Sequence, residues 1–235
     1  MFFSVPDGTF KICRDAAGIA GNIFAFGLFV SPIPTFRRII RNQSTENFSG
    51  LPYIYALLNC LICTWYGTPL ISYDNVLVMT VNSIGAVFQI TYIIIFISYS
   101  LCGWQIRMIG LLLAVFGFLA IIVAGSLQIA DQGIRWIFVG LLSCVSLVSM
   151  FASPLFIINL VIQTKSVEFM PFYLSLSTFL MSTSFFLYGI FNFDAFIYVP
   201  NGIGTVLGIL QLTLYFYYKT KSVEESLEPL MVSHA

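Results

Sequence analysis

Long apolar stretches separated by short polar connections run through almost the whole chain. Seven stretches are long enough to cross a bilayer, whose hydrocarbon core of about 30 Å needs about 20 apolar residues per helix. The connections leave no room for a separate soluble domain, and only the segment after Tyr218 is polar enough to be disordered. The pattern predicts an all-α integral membrane protein with spans near Ala17–Phe36, Leu51–Ile71, Val76–Tyr99, Gln105–Leu127, Trp136–Val161, Phe172–Phe191 and Ala195–Tyr217.

The composition agrees with this interpretation. Of the 235 residues, 59% are hydrophobic and 9% are charged, whereas soluble domains carry about 25% charged residues. The lipid bilayer is therefore the main partner, and a net charge of zero argues against nucleic acid. The first residues lack the apolar core and cleavage site of a signal peptide, so the first span is expected to direct insertion.

The distribution of Lys and Arg predicts the orientation. An odd number of spans places the termini on opposite sides, and positive charge collects in cytosolic loops. An outside or luminal N-terminus puts the larger set inside (Arg37, Arg38, Arg41, Arg107, Lys165, Lys219, Lys221) and the smaller set outside (Lys11, Arg14, Arg135). The C-terminus is then cytosolic, and the glycosylation sequons at Asn42 and Asn47 lie in a cytosolic loop and carry no glycan.

The chain also repeats itself after about 120 residues. Asn82 and Asn201 both begin the pattern Asn-x-Ile-Gly-x-Val, and further pairs follow the same order along the two halves: Ser31-Pro32 with Ser153-Pro154, Ser44-Thr45-Glu46 with Ser166-Val167-Glu168, Leu51-Pro52 with Met170-Pro171, Tyr66-Gly67 with Tyr188-Gly189, and Asp74 with Asp194. This order predicts two three-helix repeats (1–102 and 131–218) joined by a linker helix (103–130), with a cytosolic tail at 219–235.

Corresponding helices lie four spans apart, so the two repeats run in parallel. Carriers with parallel repeats place substrate between the repeats near the membrane midplane. Asn82 and Asn201 lie at matching depths, and an amide suits a neutral, hydroxyl-rich ligand. A single membrane asparagine is often only a helix–helix hydrogen bond, but a matched pair favours a binding site. Gly85 and Gly204 are more simply explained by close helix packing.

Four prolines occupy matched places near the cytosolic ends of spans 1, 2, 5 and 6: Pro32, Pro52, Pro154 and Pro171. Proline removes a helical hydrogen bond and bends the axis, so four bends around one mouth could open and close it. The alternative is that each proline only ends a helix. Pro34 and Pro69 have no counterpart and are interpreted as local.

No ionisable residue lies at the centre of a span. Proton-coupled carriers generally need one, so the sequence favours passive facilitation. No cofactor, metal site or catalytic base is predicted. The pair Cys60-x-x-Cys63 has metal or redox spacing but lies mid-helix without further ligands, and Cys63 is better explained as lining a cavity.

The quoted patterns, together with SPIPTF, STENFSGLPY, WYG, TKSVEFMPF and PNGIG, resemble the signatures of the SWEET sugar transporters, over about Ala17 to Tyr217. The chain is most similar to plant members, of the vacuolar-type first clade. The resemblance implies a facilitative, bidirectional sugar uniporter, with helices packed in the order 1-3-2 in each repeat. It implies that Asn82 and Asn201 bind sugar hydroxyls, that the four prolines form a cytosolic gate, and that Tyr66 and Asp194 match the outer gate.

Two residues depart from the family pattern. Phe185 stands where many members have tryptophan, and Cys63 where some have serine; both positions flank the implied sugar pocket. Phe185 keeps an apolar face for a sugar ring but lacks the indole N–H. Met150 matches a position where a bulky residue goes with monosaccharides, which makes a hexose such as glucose the first choice.

Other classes fit less well. Receptors lack a three-helix duplication, retinal proteins need a lysine within the last span, and a related sorting protein of the same fold would carry Pro-Gln at the proline positions. The tail VEESLEPLM resembles acidic-leucine signals and favours the vacuolar membrane over the plasma membrane. The family is also implied to form homo-oligomers such as trimers, with one pathway in each protomer.

Overall fold

The computed structural model of the protein describes residues 7–167 and 170–232. Glu168, at the end of one repeated pattern, and His234 lie outside these residues. The side chains of 221–232, which include the acidic-leucine pattern, lie outside the described side chains as well.

The described residues form α-helices and short connections. The helices are α1 (Asp7–Val30), α2 (Ile33–Asn42), α3 (Leu51–Tyr66), α4 (Val76–Tyr99), α5 (Cys102–Gln128), α6 (Gln132–Ser149), α7 (Ala152–Thr164), α8 (Phe172–Phe191) and α9 (Ala195–Val232). The pair α1–α2 forms one membrane-spanning unit and α6–α7 another; with α4, α5, α8 and α9, six units are long and apolar enough to cross a membrane. The shorter apolar helix α3 completes the seven predicted spans, and α9 continues as helix beyond the predicted end of span 7.

Spans 1 and 5 each break where a proline interrupts the helical ladder. α1 ends at Val30, whose carbonyl would have accepted from the missing N–H of Pro34, and Pro32 caps α2. α6 ends just before Met150, whose carbonyl would have accepted from the missing N–H of Pro154. A proline cannot supply this bond, so each break is the expected response to the sequence.

The other two matched prolines do not bend a helix. Pro52 lies in the first turn of α3, and Pro171 is the N-cap of α8. The first N–H groups of a helix have no intrahelical partner, so proline costs little there. The expectation of four bends is therefore wrong for this pair, which begins two helices instead.

The second span is shorter than predicted because the chain turns at Gly67. A Cβ atom added to Gly67 would lie 2.6 Å from the backbone nitrogen of Met79, and one added to Gly189 would lie 2.6 Å from that of Tyr198. Both glycines thus let the end of one helix approach the start of the next at backbone distance. The stretch 67–71 forms turns rather than helix.

The third helix of each repeat lies between the other two. α4 packs against α1, α2 and α3, and α9 packs against α6, α7 and α8. The implied order 1-3-2 is therefore present in both repeats. The repeats meet where α1 packs against α8 and α3 against α6, while α5 packs against α3, α4 and α6.

Glycines mark equivalent packing points in the two repeats. A Cβ on Gly85 would lie 2.7 Å from Phe29 Cζ and 2.9 Å from Cys60 Sγ. One on Gly204 would lie 2.6 Å from Ser182 Oγ and 3.1 Å from Phe151 Cζ. The neighbours are themselves matched, Phe29 with Phe151 and Cys60 with Ser182. Close helix packing, the simpler explanation of these glycines, is what the contacts show.

Candidate functional site

Here the outer end of the bundle is the end with the α3–α4 and α8–α9 connections, and the opposite end is the inner end. An apolar cluster fills the outer half of the boundary between the repeats: Ala25, Tyr66, Ile71, Val78, Val81, Val139, Phe185, Tyr188 and Ile197. These side chains come from both repeats and are buried. They pack the two repeats against each other at this end.

The paired asparagines lie just inside this cluster. Asn82 is the seventh residue of α4, and Asn201 the seventh of α9. Each donates one amide N–H to the carbonyl four residues earlier, Asn82 to Val78 at 2.9 Å and Asn201 to Ile197 at 2.8 Å. The same kind of bond therefore gives both amides the same orientation on equivalent helices.

The rest of each amide remains available to a ligand. Among the described residues, no protein group hydrogen-bonds to the side-chain oxygen of either asparagine. Asn82 is half-buried and Asn201 buried. An amide with one N–H anchored, and with an oxygen and a second N–H left over, can accept from one hydroxyl and donate to another.

Cys63 and Phe185 occupy matched positions on α3 and α8, and both are buried. The Cys63 thiol lies 3.7 Å from the Oδ1 atom of Asn59, one turn earlier on the same helix. The Phe185 ring lies over Gly21 of the other repeat, where an added Cβ would be 2.7 Å from Cε2. The sequence analysis did not single out Asn59, because it has no polar counterpart in the second repeat.

Met150 lies apart from this set, at the break between α6 and α7, with a half-buried side chain. Beside Met150, the Tyr55 hydroxyl of the first repeat donates to Ser149 Oγ of the second repeat at 2.5 Å. This is the one hydrogen bond between described residues that crosses the repeats in the inner half. Between described residues, the hydrogen bonds that cross the repeats are therefore concentrated on the outer side.

The outer side is closed by a hydrogen-bonded network around Asp194. The Tyr66 hydroxyl donates to Asp194 Oδ2 at 2.5 Å, and the indole N–H of Trp136 donates to the Tyr66 oxygen at 2.9 Å. The second Asp194 oxygen accepts from the backbone N–H of Phe196 at 3.0 Å. Asp194 is only 4% exposed, so a buried carboxylate is satisfied mainly from the opposite repeat. The predicted neighbours Tyr66 and Asp194 are brought together.

A second set of bonds mirrors the first. Tyr188, the counterpart of Tyr66, donates through its hydroxyl to the backbone oxygen of Asp74 at 2.6 Å. Asn75 Nδ2 donates to Asp194 Oδ2 at 2.6 Å, and Asn192 Nδ2 donates to Asn75 Oδ1 at 2.6 Å. Each tyrosine thus reaches the connection that precedes the third helix of the other repeat.

The structure corrects one pairing from the sequence. Asp194 is the counterpart of Asn75 rather than of Asp74. The backbone oxygen of Asn75 accepts from Val78 and Met79, and that of Asp194 accepts from Ile197 and Tyr198. Asp74 and Asp194 share a residue type but not a position. Asn82 and Asn201 have the same separation in sequence as Asn75 and Asp194, so the sequence could have predicted the correct pairing.

Two bundles of three helices in parallel, joined by one helix and carrying paired amides at their boundary, define a membrane carrier with duplicated repeats. The family described as "Sugar efflux transporter for intercellular exchange" matches the chain twice, over residues 15–102 and 137–223. The chain belongs to this family, the SWEET transporters. The predicted family is confirmed, and a transporter family places the chain outside the enzyme classes.

Similar proteins come from several plants. The chain is 70% identical over 229 residues to "Bidirectional sugar transporter SWEET2" of Arabidopsis thaliana, covering 97% of each chain. It is 60% identical over 231 residues to "Bidirectional sugar transporter SWEET2a" of Sorghum bicolor, covering 98% of this chain and 95% of the relative. These relatives confirm the resemblance to plant members of the first clade.

A solved structure, titled "The 3.7 A resolution structure of a eukaryotic SWEET transporter", has the same fold. Its TM-score is 0.89 at 54% sequence identity, covering 90% of this chain and 99% of the other. The predicted arrangement of two three-helix repeats and a linker helix is thereby confirmed.

Proposed function

We propose that this protein is a facilitative, bidirectional sugar uniporter that works by alternating access. The observation that carries the proposal is the pair Asn82 and Asn201. The two amides occupy equivalent positions on the third helix of each repeat and hold the same backbone bond. The names of its relatives supply the substrate class, a sugar.

A sugar binds between the repeats and exchanges its bonds to water for bonds to these amides. The net gain is about 1 kcal/mol per hydrogen bond, which suits weak binding and fast release. Cys63 and Phe185 form the walls, and the Phe185 ring supplies an apolar face. Met150, at the break of span 5, favours a hexose such as glucose over a disaccharide.

Transport then alternates between two states, and in each state one mouth of the pathway is closed and the other is open. The Tyr66–Asp194 side opens as the inner ends close around Pro32, Pro52, Pro154 and Pro171. The breaks already present at Ser31-Pro32 and at Met150-Phe151, just before Pro154, supply places where the inner halves of spans 1 and 5 can pivot. Pro52 and Pro171 mark where spans 2 and 6 begin and act as fixed ends rather than pivots.

The gradient of the sugar alone sets the direction. Helices α3, α4, α7 and α8 carry no Asp, Glu, Lys or Arg, and α9 carries none between Ala195 and Tyr218. A coupling ion would need an ionisable group near the substrate. No cofactor takes part in this scheme.

Glucose counterflow into liposomes containing the purified protein, without a pH gradient, tests the proposal. Uptake of labelled glucose that excess unlabelled hexose competes, and that Asn201→Ala abolishes, is the expected result. Asn159→Ala is the matched control, because Asn159 is an exposed membrane asparagine in the same repeat and should leave uptake intact. Uptake only with a proton gradient would overturn passive transport, and no uptake of glucose or sucrose would favour a sorting or non-sugar role.

We place the protein in the vacuolar membrane, with the plasma membrane as the alternative. The N-terminus is then luminal and the C-terminus cytosolic. The first repeat ends at residue 102, the second begins at residue 131, and the tail begins at residue 219. A homo-oligomer such as a trimer fits a protomer that holds its own pathway between two repeats.

A further inference from the structure

Asn75 begins α4, yet its side chain does not cap the helix. Asparagine at this position usually accepts a hydrogen bond from the second or third helical N–H. The Asn75 side chain makes no such bond. Its backbone oxygen accepts from Val78 and Met79 instead, so the amide group is free for contacts outside its own helix.

Those contacts lie mostly in the other repeat. Asn75 Nδ2 donates to Asp194 Oδ2 at 2.6 Å and to Ser72 Oγ at 2.5 Å. Its Oδ1 accepts from Asn192 Nδ2 at 2.6 Å. Two of the three bonds therefore cross the boundary between the repeats, and Ser72 alone belongs to the same repeat.

Burial gives these bonds their importance. Asn75 is 1% exposed and Asp194 4%, so the amide and the carboxylate satisfy each other without water. A hydrogen bond to a charged group is about twice as strong as a neutral one. Opening the outer mouth separates Asn75 from both partners in the second repeat, which leaves its bond to Ser72 intact.

We propose that Asn75 is a positioning residue of the outer gate, which holds the outer mouth closed by bridging Asn192 and the same Asp194 oxygen that accepts from Tyr66. The inference rests on the alternating-access function proposed above. It assigns to the Asn75–Asp194 pair, equivalent positions of the two repeats, a direct role in setting the ratio of closed to open forms. An amide and a carboxylate attract here, whereas two carboxylates at the same place would repel.

Spin labels on either side of the mouth can measure this ratio without any sugar. Tyr73 and Phe193 are exposed and flank the pair in sequence, so Tyr73→Cys and Phe193→Cys, with the exposed Cys13 and Cys102 changed to serine, report the width of the mouth. In nanodiscs, Asn75→Ala should shift the population towards the longer distance by about tenfold, the value of one charge-assisted hydrogen bond.

Asn75→Asp separates a gating role from a structural one. With both facing carboxylates ionised the pair repels, and the mouth should open further than in Asn75→Ala. Lowering the pH places one proton on the pair and restores a hydrogen bond, so the distances should return towards those of the unsubstituted protein at the same pH. The other titratable or charged groups near this position are Tyr66, Tyr188, Arg14, Asp15 and Asp74, and they are unchanged in both proteins.

Ser72→Ala is the matched control, because it removes hydrogen bonds only to Asn75 and Tyr66, both within the first repeat, and should leave the distances unchanged. Unaltered distances in both Asn75 variants would overturn the proposal, as would an opening of Asn75→Asp that does not reverse at acidic pH. Failure of the sugar counterflow test with a normal distance response would instead count against the transported substrate. The two hypotheses are therefore tested separately.

Discussion

The two repeats share a fold but differ in residue type at many matched positions, and whether a position differs depends on its role. Residues that are identical in both copies serve helix packing, the candidate sugar site or the bonds by which each repeat reaches the connection of the other: Gly67 and Gly189, Gly85 and Gly204, Asn82 and Asn201, Tyr66 and Tyr188. They occupy equivalent places in the two repeats. Identity between copies thus points to features that both halves use in the same way.

Positions that differ lie where the halves face each other. Asn75 faces Asp194 across the boundary, and Cys63 corresponds to Phe185. Arg14 of the first repeat corresponds to Trp136 of the second: Arg14 Nη1 lies 3.4 Å from Asn192 Oδ1, whereas Trp136 donates to Tyr66. Two identical groups rarely complement each other, so a duplicated chain has to diverge where its copies meet.

The largest effect is expected at the identical asparagines. Asn82→Ala should reduce sugar counterflow at least tenfold, as much as Asn201→Ala, since each amide is proposed to supply equivalent bonds to the sugar. A missing partner at a site built for hydroxyls costs more than a neutral hydrogen bond adds. Counterflow at equal reconstituted protein measures it. Wild-type rates in Asn82→Ala alone would mean that the two sites are not equivalent.

The glycine contacts predict a smaller effect, on stability. Gly204→Ala should lower the unfolding free energy by about 1–3 kcal/mol, the usual cost of overpacking, because its Cβ would lie 2.6 Å from Ser182 Oγ. Thermal unfolding in detergent measures the loss. Ser182→Gly combined with Gly204→Ala should recover most of it, and a double variant no more stable than Gly204→Ala would contradict the contact.

The unequal walls of the site predict an unequal response. Phe185→Leu should raise the KM for glucose about fivefold with little change in maximal rate, because an aromatic contact is worth roughly 0.5–1.5 kcal/mol beyond its buried area. Cys63→Ala, at the matched position, should change KM less than twofold. Concentration-dependent counterflow compares the two variants. Equal effects would mean that the walls contribute alike and that the departure at Phe185 has no consequence for binding.

The sequence pattern was sufficient for the span count and the duplication, and the family resemblance implied the outer gate in which Tyr66 meets Asp194. Periodicity and repeated patterns report on helices and on positions used twice. The sequence pattern did not predict the role of Pro52 and Pro171, because a proline near a span end can either begin a helix or bend one. Which of the two occurs depends on where the preceding loop ends. Asn75 was missed for another reason: a polar residue before a helix is usually a cap, and its contacts to the second repeat exist only after the halves pack.

The smallest effect is expected in the loop between spans 1 and 2, at Glu46. Its carboxylate accepts from Arg38 Nη2 at 2.6 Å and from Asn42 Nδ2 at 2.6 Å, and these bonds, with that to Arg38 the larger cause, hold its pKa below the usual value. A lowered folded-state pKa means that the stabilisation is present at pH 7 and is lost as the pH falls through that pKa. Glu46→Gln should therefore melt slightly below the unsubstituted protein at pH 7, and the two melting temperatures should converge as the pH falls below that pKa. Solvent screens this exposed pair, so a large difference at pH 7, or one that persists after Glu46 is protonated, would assign Glu46 a role other than its ion pair.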